Sequence, residues 1–294
     1  MNELENELEN EIGKRSHYST LVLSGGSVKC VSTLGSIQYG FDNMLLQRVH
    51  TFIGTSAGAI LCYLLCIGFT PIEIIMYLCG HGVFSRNHHI DIVSMMNGTG
   101  ALDYSILSSH LERMTIDKIG RLVTFQDVWN LFNKRLTMTT YNLSKDRIEY
   151  LSVDTTPDMP CLTALRQTCS LPFVFEAYKY TGDYYIDGGI YENFPISHQL
   201  ELDEANRLGI CIDMYTIQGD PSTRNMIESM YHILTIPIRQ NLQHTLQTMQ
   251  PKMDVIRLDP PISMFQFQLS SHDLLELFSF GYQQAKSFFL RSED

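Results

Sequence analysis

The sequence predicts an α/β fold in which a mostly parallel central sheet is flanked by helices. Three observations lead to this prediction. The order strand, glycine-containing turn, helix occurs twice in succession near the start of the chain. The 294 residues are 44% hydrophobic, which is enough to bury a large core. The longest apolar run, 57–69, is shorter than the roughly 20 residues of a membrane-spanning helix. We therefore expect one domain over residues 17–294.

The first unit begins with the apolar strand Thr20–Leu23, continues through a turn at 24–27 and enters a helix that runs to about Leu46. The second unit has a short strand over 49–53, a turn at 54–58 and a helix over 59–69. The second helix is apolar on all sides, which predicts that it lies in the interior.

The later part of the chain continues the pattern with less regular spacing. Thr70-Pro71-Ile72-Glu73 combines an N-cap, a proline at the first helical position and an acid three residues after the cap, so a helix should start here. Residues 81–102 lack periodicity and predict a loop. Further helices are predicted over 104–114, from 124, over 160–169, over 221–247 and from 270 or 271. In the last of these helices, the residues predicted to face inward are Leu274, Leu275, Phe278 and Tyr282. The predicted strands form a hairpin over 135–143 and 147–153, a strand–turn–strand over 179–186, and single strands over 208–214 and 254–258.

Charge and cysteine content indicate which partners and which cellular compartment to expect. The formal net charge is −11, and no run of Lys and Arg forms a basic stripe, so nucleic acid is not an expected partner. Seven cysteines without a CxxC pair indicate reduced intracellular thiols. Residues 1–16 carry acidic ELEN repeats where a signal peptide would be basic and then apolar, so we expect an acidic extension and a cytoplasmic protein.

Gly54-Thr55-Ser56-Ala57-Gly58 matches the pattern G-x-S-x-G of a nucleophile elbow. In that turn the flanking glycines permit a strained passage from strand to helix, which exposes the serine hydroxyl at the helix N-terminus. The predicted strand before this segment and the predicted buried helix after it supply the required context. Ser56 is therefore the candidate nucleophile.

A serine nucleophile needs a base and preorganised N–H donors for the oxyanion. The turn that follows the first strand, Ser24 to Lys29, is the best candidate for those donors. It does not match the phosphate-binding loop or the dinucleotide fingerprint, so nucleotide binding is not expected. Asp187-Gly188-Gly189 follows a predicted strand and offers a carboxylate beside a backbone that can be approached closely.

Taken together, the segments Gly25-Gly26-x-x-Lys29, 54–58 and 187–189 resemble the patatin-like phospholipase family. Their order agrees, and the resemblance extends by motif from Tyr18 to Pro195. The flanking features that also agree are Gly35, Ser170-Leu171-Pro172, Asn193 and Pro195.

The resemblance implies a patatin-like fold and a Ser-Asp dyad, with Ser56 attacking a lipid acyl ester and Asp187 accepting its proton without a histidine. It also implies hydrolysis of a phospholipid or other glycerolipid at a membrane or micelle surface, with no metal and no cofactor. A protein partner is not identified. The oxyanion donors would be the backbone amides of Gly25, Gly26 and Ser27, and the supporting motif residues would be Lys29, Gly54, Gly58, Gly188 and Gly189.

Two positions depart from the family pattern, because Ser27 and Cys30 stand where the family usually has glycine. If either position requires a positive φ, a residue with a Cβ costs on the order of 1 kcal/mol and could displace an oxyanion donor. An alternative is therefore that the protein is catalytically silent and binds lipid or a partner. Lys29 itself could instead be an exposed cation at a helix start.

Other groups give weaker signals. A Ser-His-Asp carboxylesterase acting on small esters would need a histidine downstream of the acid, for which the candidates are His198, His232, His244 and His272. His88, His89 and Asp91 are interpreted as a surface loop, not as metal ligands. Cys62 and Cys66 are interpreted as core residues. Phe265, Phe267 and Leu269 alternate with glutamines, which predicts a half-buried strand; exposed, they could contact a bilayer.

Overall fold

The computed structural model describes residues 18–84, 102–196, 206–213, 226–249, 253–263 and 266–291. The predicted N-terminal extension, the His88-His89 loop, His198 and Phe265 lie outside these residues. The described part contains an eight-stranded sheet. Its strands are β1 (Thr20–Leu23), β2 (Thr51–Thr55), β3 (Arg135–Asn142), β4 (Arg147–Ser152), β5 (Tyr178–Tyr180), β6 (Asp183–Asp187), β7 (Arg207–Ile212) and β8 (Asp254–Leu258).

Helices pack on the sheet, and most of them occupy the predicted places. A 3₁₀ turn at Ser27–Cys30 leads directly into the first helix. The described helices are α1 (Val31–Asp42), α2 (Ala57–Cys66), α3 (Pro71–His81), α4 (Ser105–Ile119), α5 (Phe125–Phe132), α6 (Cys161–Thr168), α7 (Gly189–Glu192), α8 (Met226–Met249) and α9 (Ser271–Arg291). The α/β class predicted from the alternating units is confirmed.

The sheet is mixed. Its order is β5-β6-β3-β2-β1-β7-β8, with β4 paired to β3. The ladders joining β3, β2, β1, β7 and β8 are parallel, whereas β4 and β6 pair with β3 in antiparallel fashion, as β5 does with β6. The mostly parallel prediction therefore holds for one half of the sheet. In the other half, short turns join β3 to β4 and β5 to β6, which requires antiparallel pairing, and β6 also runs antiparallel to β3.

The strand register places three distant segments at one level of the sheet. Leu23 of β1 pairs with Gly54 of β2, so the turn after β1 lies beside the turn after β2. Thr55 pairs with Thr139 of β3. The next residue of β3, Thr140, pairs with Asp187 at the end of β6. The residue after β2 and the last residue of β6 therefore flank β3 at the same height.

Helix α2 is the interior helix that the sequence predicts, with Cys62 and Cys66 fully buried in the main hydrophobic core. All seven cysteines have free thiols. Helix α3 begins with the predicted capping box, in which the Glu73 amide donates to Thr70 Oγ1 at 3.2 Å. In the described ranges no single helix could cross a bilayer by length and composition, although α2 and α3, which are bent by 118°, would meet the criterion as a pair.

Helix α9 packs closely along α1 because each helix has a glycine that faces the backbone of the other helix. A Cβ on Gly35 would lie 1.8 Å from the Phe278 carbonyl oxygen, and one on Gly281 would lie 1.7 Å from the Ser32 carbonyl oxygen. The prediction that Leu275 faces inward was wrong, because its side chain is 52% exposed. The inward stripe of α9 instead includes Leu274, Leu277, Gly281 and Ala285.

The predicted strand around Phe267 and Leu269 is also absent, since residues 266–270 have no regular secondary structure. Leu269 is buried, and its amide donates to the Phe84 carbonyl oxygen at 3.1 Å. Alternating polarity here reflects an extended segment lying on the helices, with no neighbouring strand to complete a ladder.

Candidate active site

The turn between β2 and α2 holds Ser56 in an unusual backbone conformation, with φ 53° and ψ −126°. A non-glycine residue at positive φ costs on the order of 1–3 kcal/mol, so the surroundings must hold it there. Gly54 and Gly58 make the turn possible: a Cβ on Gly54 would lie 2.7 Å from the Ala59 amide nitrogen, and one on Gly58 would lie 2.4 Å from the Ser24 carbonyl oxygen. The predicted elbow geometry is present.

Thr168, the last residue of α6, braces this turn. The Ser56 amide donates to Thr168 Oγ1 at 2.8 Å, and the Thr168 hydroxyl donates to the Thr139 carbonyl oxygen at 2.5 Å. Thr168 and Thr139 are fully buried, so the Thr168 hydroxyl has no access to water in place of these partners. Thr168 could not be predicted from the sequence, because nothing in the local sequence indicates that a helix end from elsewhere reaches the elbow.

Asp187 lies beside Ser56 at the end of β6, as the register requires. Its side chain is 2% exposed, lines the same cavity as Ser56 and accepts a hydrogen bond from the Gly189 amide at 2.7 Å. Burial raises the pKa of the Asp187 carboxyl to about 7, although the nearby Ser56 hydroxyl and the Gly189 amide both act to lower it. The carboxyl is therefore poised to exchange a proton near neutral pH.

The two glycines after Asp187 let the chain turn under β3. A Cβ on Gly188 would lie 2.5 Å from the Thr139 carbonyl oxygen, and one on Gly189 would lie 2.7 Å from Asn193 Oδ1. Helix α7 begins at Gly189, which brings Asn193 against the loop that follows β1. The predicted roles of Gly188 and Gly189 as close-approach positions fit this geometry.

The loop after β1 meets the site through Asn193. The Gly25 amide donates to the Asn193 backbone oxygen, and Asn193 Nδ2 donates to the Gly25 oxygen, both at 3.1 Å. The Gly25 amide thus donates to Asn193 and not into the site, contrary to the prediction that it is an oxyanion donor. Gly26 and Ser27 line the cavity that contains Ser56 and Asp187.

The two departures from glycine have different consequences. Ser27 has φ 52°, so this position uses the conformation that glycine adopts most easily, and serine is strained there. Cys30 has φ −65° and ψ −9°, an ordinary helical conformation, and it is buried. Cys30 therefore carries no backbone cost, and the strain is confined to Ser27.

Lys29 is not the exposed cation that one interpretation of the sequence predicts. It is 4% exposed, and its Nζ lies 3.6 Å from Asp259 Oδ1, just beyond the end of β8. Burial lowers the pKa of the Lys29 ammonium, while Asp259 and Asp213 act to raise it. Lys29 thus connects the loop after β1 to the carboxyl ends of the neighbouring strands.

Ser56 and Asp187 open into a largely nonpolar cavity of about 160 Å³. Its walls come from α2, from the start of α4, and from residues 171–175, with Phe84 and Phe267 at its side. Cys169 also lines it, and burial raises the pKa of its thiol well above the usual value. A cavity of this kind suits a nonpolar ligand whose reacting group meets the Ser56 hydroxyl.

Three of the four histidine candidates lie in the described part of the chain, and none of those three lines the Ser56 cavity. His244 is exposed, His232 is half-buried, and the His272 side chain is 78% exposed and lies 3.3 Å from Glu276. No described residue lining the Ser56 cavity is a histidine. Nor do the described ranges contain three or more His, Cys, Asp or Glu side chains grouped to hold a metal ion.

Comparison with known sequences agrees with this geometry. A family model described as Patatin-like phospholipase matches residues 21–199. A protein of invertebrate iridescent virus 6 named "Probable lipid hydrolase 463L" is 35% identical over 189 residues, which are 62% of this chain and 63% of the viral protein. An uncharacterized protein of Acanthamoeba polyphaga mimivirus is 27% identical over 292 residues, which are 95% of this chain and 97% of that protein.

Solved structures share the fold at low sequence identity. ExoU of Pseudomonas aeruginosa, in complex with SpcU, has a TM-score of 0.53 at 16% identity, covering 94% of this chain and 53% of that one. VipD of Legionella pneumophila has a TM-score of 0.51 at 17% identity, covering 93% of this chain and 66% of that one. Human GIVD cytosolic phospholipase A2, in complex with methyl gamma-linolenyl fluorophosphonate, has a TM-score of 0.51 at 10% identity, covering 94% of this chain and 58% of that one. This chain therefore spans about half to two thirds of each.

The brace on the elbow can be tested with Thr168→Val, which keeps the shape of the side chain but removes its hydroxyl. The Ser56 amide and the Thr139 carbonyl would then be buried without this partner, so we expect the free energy of unfolding to fall by about 1–3 kcal/mol. Urea denaturation measures it. Thr163→Val on the same helix is the matched control, because Thr163 takes no part in these hydrogen bonds. Equal losses in the two variants would contradict the brace.

Proposed function

Because this chain belongs to the patatin-like phospholipase family, we propose that it is a lipid acyl hydrolase of the phospholipase A type, with Ser56 as nucleophile and Asp187 as general base. The observation that carries the proposal is that the Ser56 hydroxyl and the buried Asp187 carboxyl meet in one nonpolar cavity, close enough for the hydroxyl to act on the pKa of the carboxyl. The name of the viral relative as a lipid hydrolase supports the same reaction class.

In the first half of the proposed reaction, Ser56 Oγ attacks the ester carbonyl carbon while its proton moves to Asp187. The carbonyl oxygen becomes an oxyanion, which the amides of Gly26 and Ser27 would stabilise together with the positive end of α2. Collapse of this tetrahedral species breaks the bond to the alcohol oxygen. Asp187 returns the proton to that oxygen, and the acyl group remains on Ser56 as an ester.

In the second half, water enters after the alcohol has left. Asp187 takes a proton from the water as its oxygen attacks the acyl carbon, and a second oxyanion forms and collapses. Ser56 Oγ then leaves and recovers the proton from Asp187, which releases the fatty acid. One buried carboxyl serves both halves because its pKa of about 7 lies near the working pH.

The substrate would be a glycerolipid in a membrane or micelle, and the protein would work in the cytoplasm with peripheral contact to the lipid surface. The net charge of −11 argues against strong attraction to anionic lipid, so we propose a zwitterionic or neutral surface. The carboxylesterase alternative needs a histidine base; His232, His244 and His272 do not line the cavity, whereas Asp187 does. The silent alternative rests on the strain at Ser27 and predicts no turnover.

Removing either member of the dyad should abolish fatty-acid release from phosphatidylcholine vesicles. Ser56→Ala removes the nucleophile and Asp187→Asn removes the base, so we expect each to lower kcat by about a thousandfold or more. The control variants Ser109→Ala and Asp117→Asn change exposed residues of α4 in the same chemical way and should keep full activity. Substantial activity in Ser56→Ala or Asp187→Asn, with the fold intact by circular dichroism, would remove the dyad assignment.

The pH profile tests the base independently. Asp187 must be ionised to accept a proton, so kcat/KM should rise with pH and reach half its maximum near a pKa of about 7. Below that point it should fall about tenfold per pH unit. The measurement uses an uncharged ester substrate, with thermal denaturation at each pH to show that the protein remains folded. A half-maximum near the ordinary aspartate pKa would contradict the raised pKa of Asp187.

A further inference from the structure

A second nonpolar cavity of about 90 Å³ adjoins the one that contains Ser56. The two share wall residues, so they are adjacent. The shared residues are Ser27, Ala57, Ile60, Val83, Phe84 and Leu107. We call the second cavity the α2 branch, because one side of helix α2 forms its wall.

The α2 branch leads away from the reacting serine into the core. Ala57, Ile60, Leu61 and Leu64 line it, and their spacing of three and four residues places them on one face of the helix. Ala57 follows Ser56 directly. At 1.5 Å per residue, the stripe from Ala57 to Leu64 is about 10 Å long. A chain attached to Ser56 Oγ could therefore run beside α2 for this distance.

The far side of the α2 branch is nonpolar apart from one satisfied pair. Leu34 of α1, Ile74 of α3 and Met114 of α4 supply apolar surface. Tyr77 and His110 also reach it, and the Tyr77 hydroxyl lies 3.0 Å from His110 Nδ1. Since these two polar groups bind each other, the branch offers little to a charged or strongly hydrated ligand.

We propose that the α2 branch binds the acyl chain of the ester and thereby favours long acyl groups. This proposal rests on the proposed function, because it assigns the acid side of the ester cleaved at Ser56. Methylene groups leaving water for this wall gain free energy, whereas a glycerol or head group would lose its hydration there. The alcohol side stays in the first cavity, where Asp103 and Asn193 supply polar groups.

Met114 gives the sharpest test, because it lines the α2 branch but not the first cavity and is 3% exposed. Met114→Trp should fill the branch and leave the dyad unchanged. Met76→Trp is the matched control, since Met76 lies on the neighbouring helix α3 with 68% of its side chain exposed. The substrates are the 4-nitrophenyl esters of butyric and lauric acid.

In Met114→Trp we expect kcat/KM for the laurate ester to fall at least about tenfold, while the value for the butyrate ester stays within about twofold of the unchanged protein. Met76→Trp should alter neither. Met114→Phe, a smaller change, should shift the ratio in the same direction and is measured if the tryptophan variant does not fold.

An equal effect on both esters, or no effect on either, in a folded Met114 variant would overturn the assignment of the acyl chain to the α2 branch. Such a result would leave the proposed hydrolysis standing, because the butyrate ester would still be cleaved. Failure of the unchanged protein to cleave either ester would instead overturn the proposed function, and the assignment of the branch with it.

Discussion

The structure depends on holding Ser56 at positive φ between a buried strand and a buried helix. That conformation turns the hydroxyl out of the sheet, and it is unfavourable for any residue with a Cβ. Two kinds of contact maintain it: the close approach that Gly54 and Gly58 allow, and the hydrogen bond from the Ser56 amide to Thr168. Because Thr168 also donates to Thr139, the elbow is tied to the strand that separates it from Asp187.

The mixed sheet explains why an aspartate from far along the chain can face this serine. A parallel ladder carries Ser56 to the level of Thr140, and an antiparallel ladder brings Asp187 back to that level from the opposite direction. In an entirely parallel sheet, a strand next to β3 would also end at this edge, but only after a crossover connection. Here β6 enters from the opposite direction after the turn that follows β5, and burial raises the pKa of the Asp187 carboxyl to a value suited to a base.

Much of this arrangement could be predicted from the sequence. Local rules located most of the strands and helices, the glycine-flanked Ser56, the loop after β1 and Asp187 with its two glycines. What local rules could not supply were contacts between distant segments, such as Thr168 at the elbow and Asn193 on the Gly25 amide. The inward face of α9 was misassigned at Leu275 because periodicity fixes the spacing of a stripe, not its orientation. The burial of Lys29 could not be predicted either, since its partner Asp259 follows a strand late in the chain.

The central claim is that the Ser56 hydroxyl is activated by its buried neighbour. The most direct measurement is reaction of the whole protein with a fluorophosphonate that carries a long alkyl chain, followed by peptide mass spectrometry. The account predicts a single covalent adduct on the peptide containing Ser56, and a much slower reaction when Asp187 is replaced by asparagine. An adduct on another residue, or equally fast labelling without the Asp187 carboxylate, would contradict it.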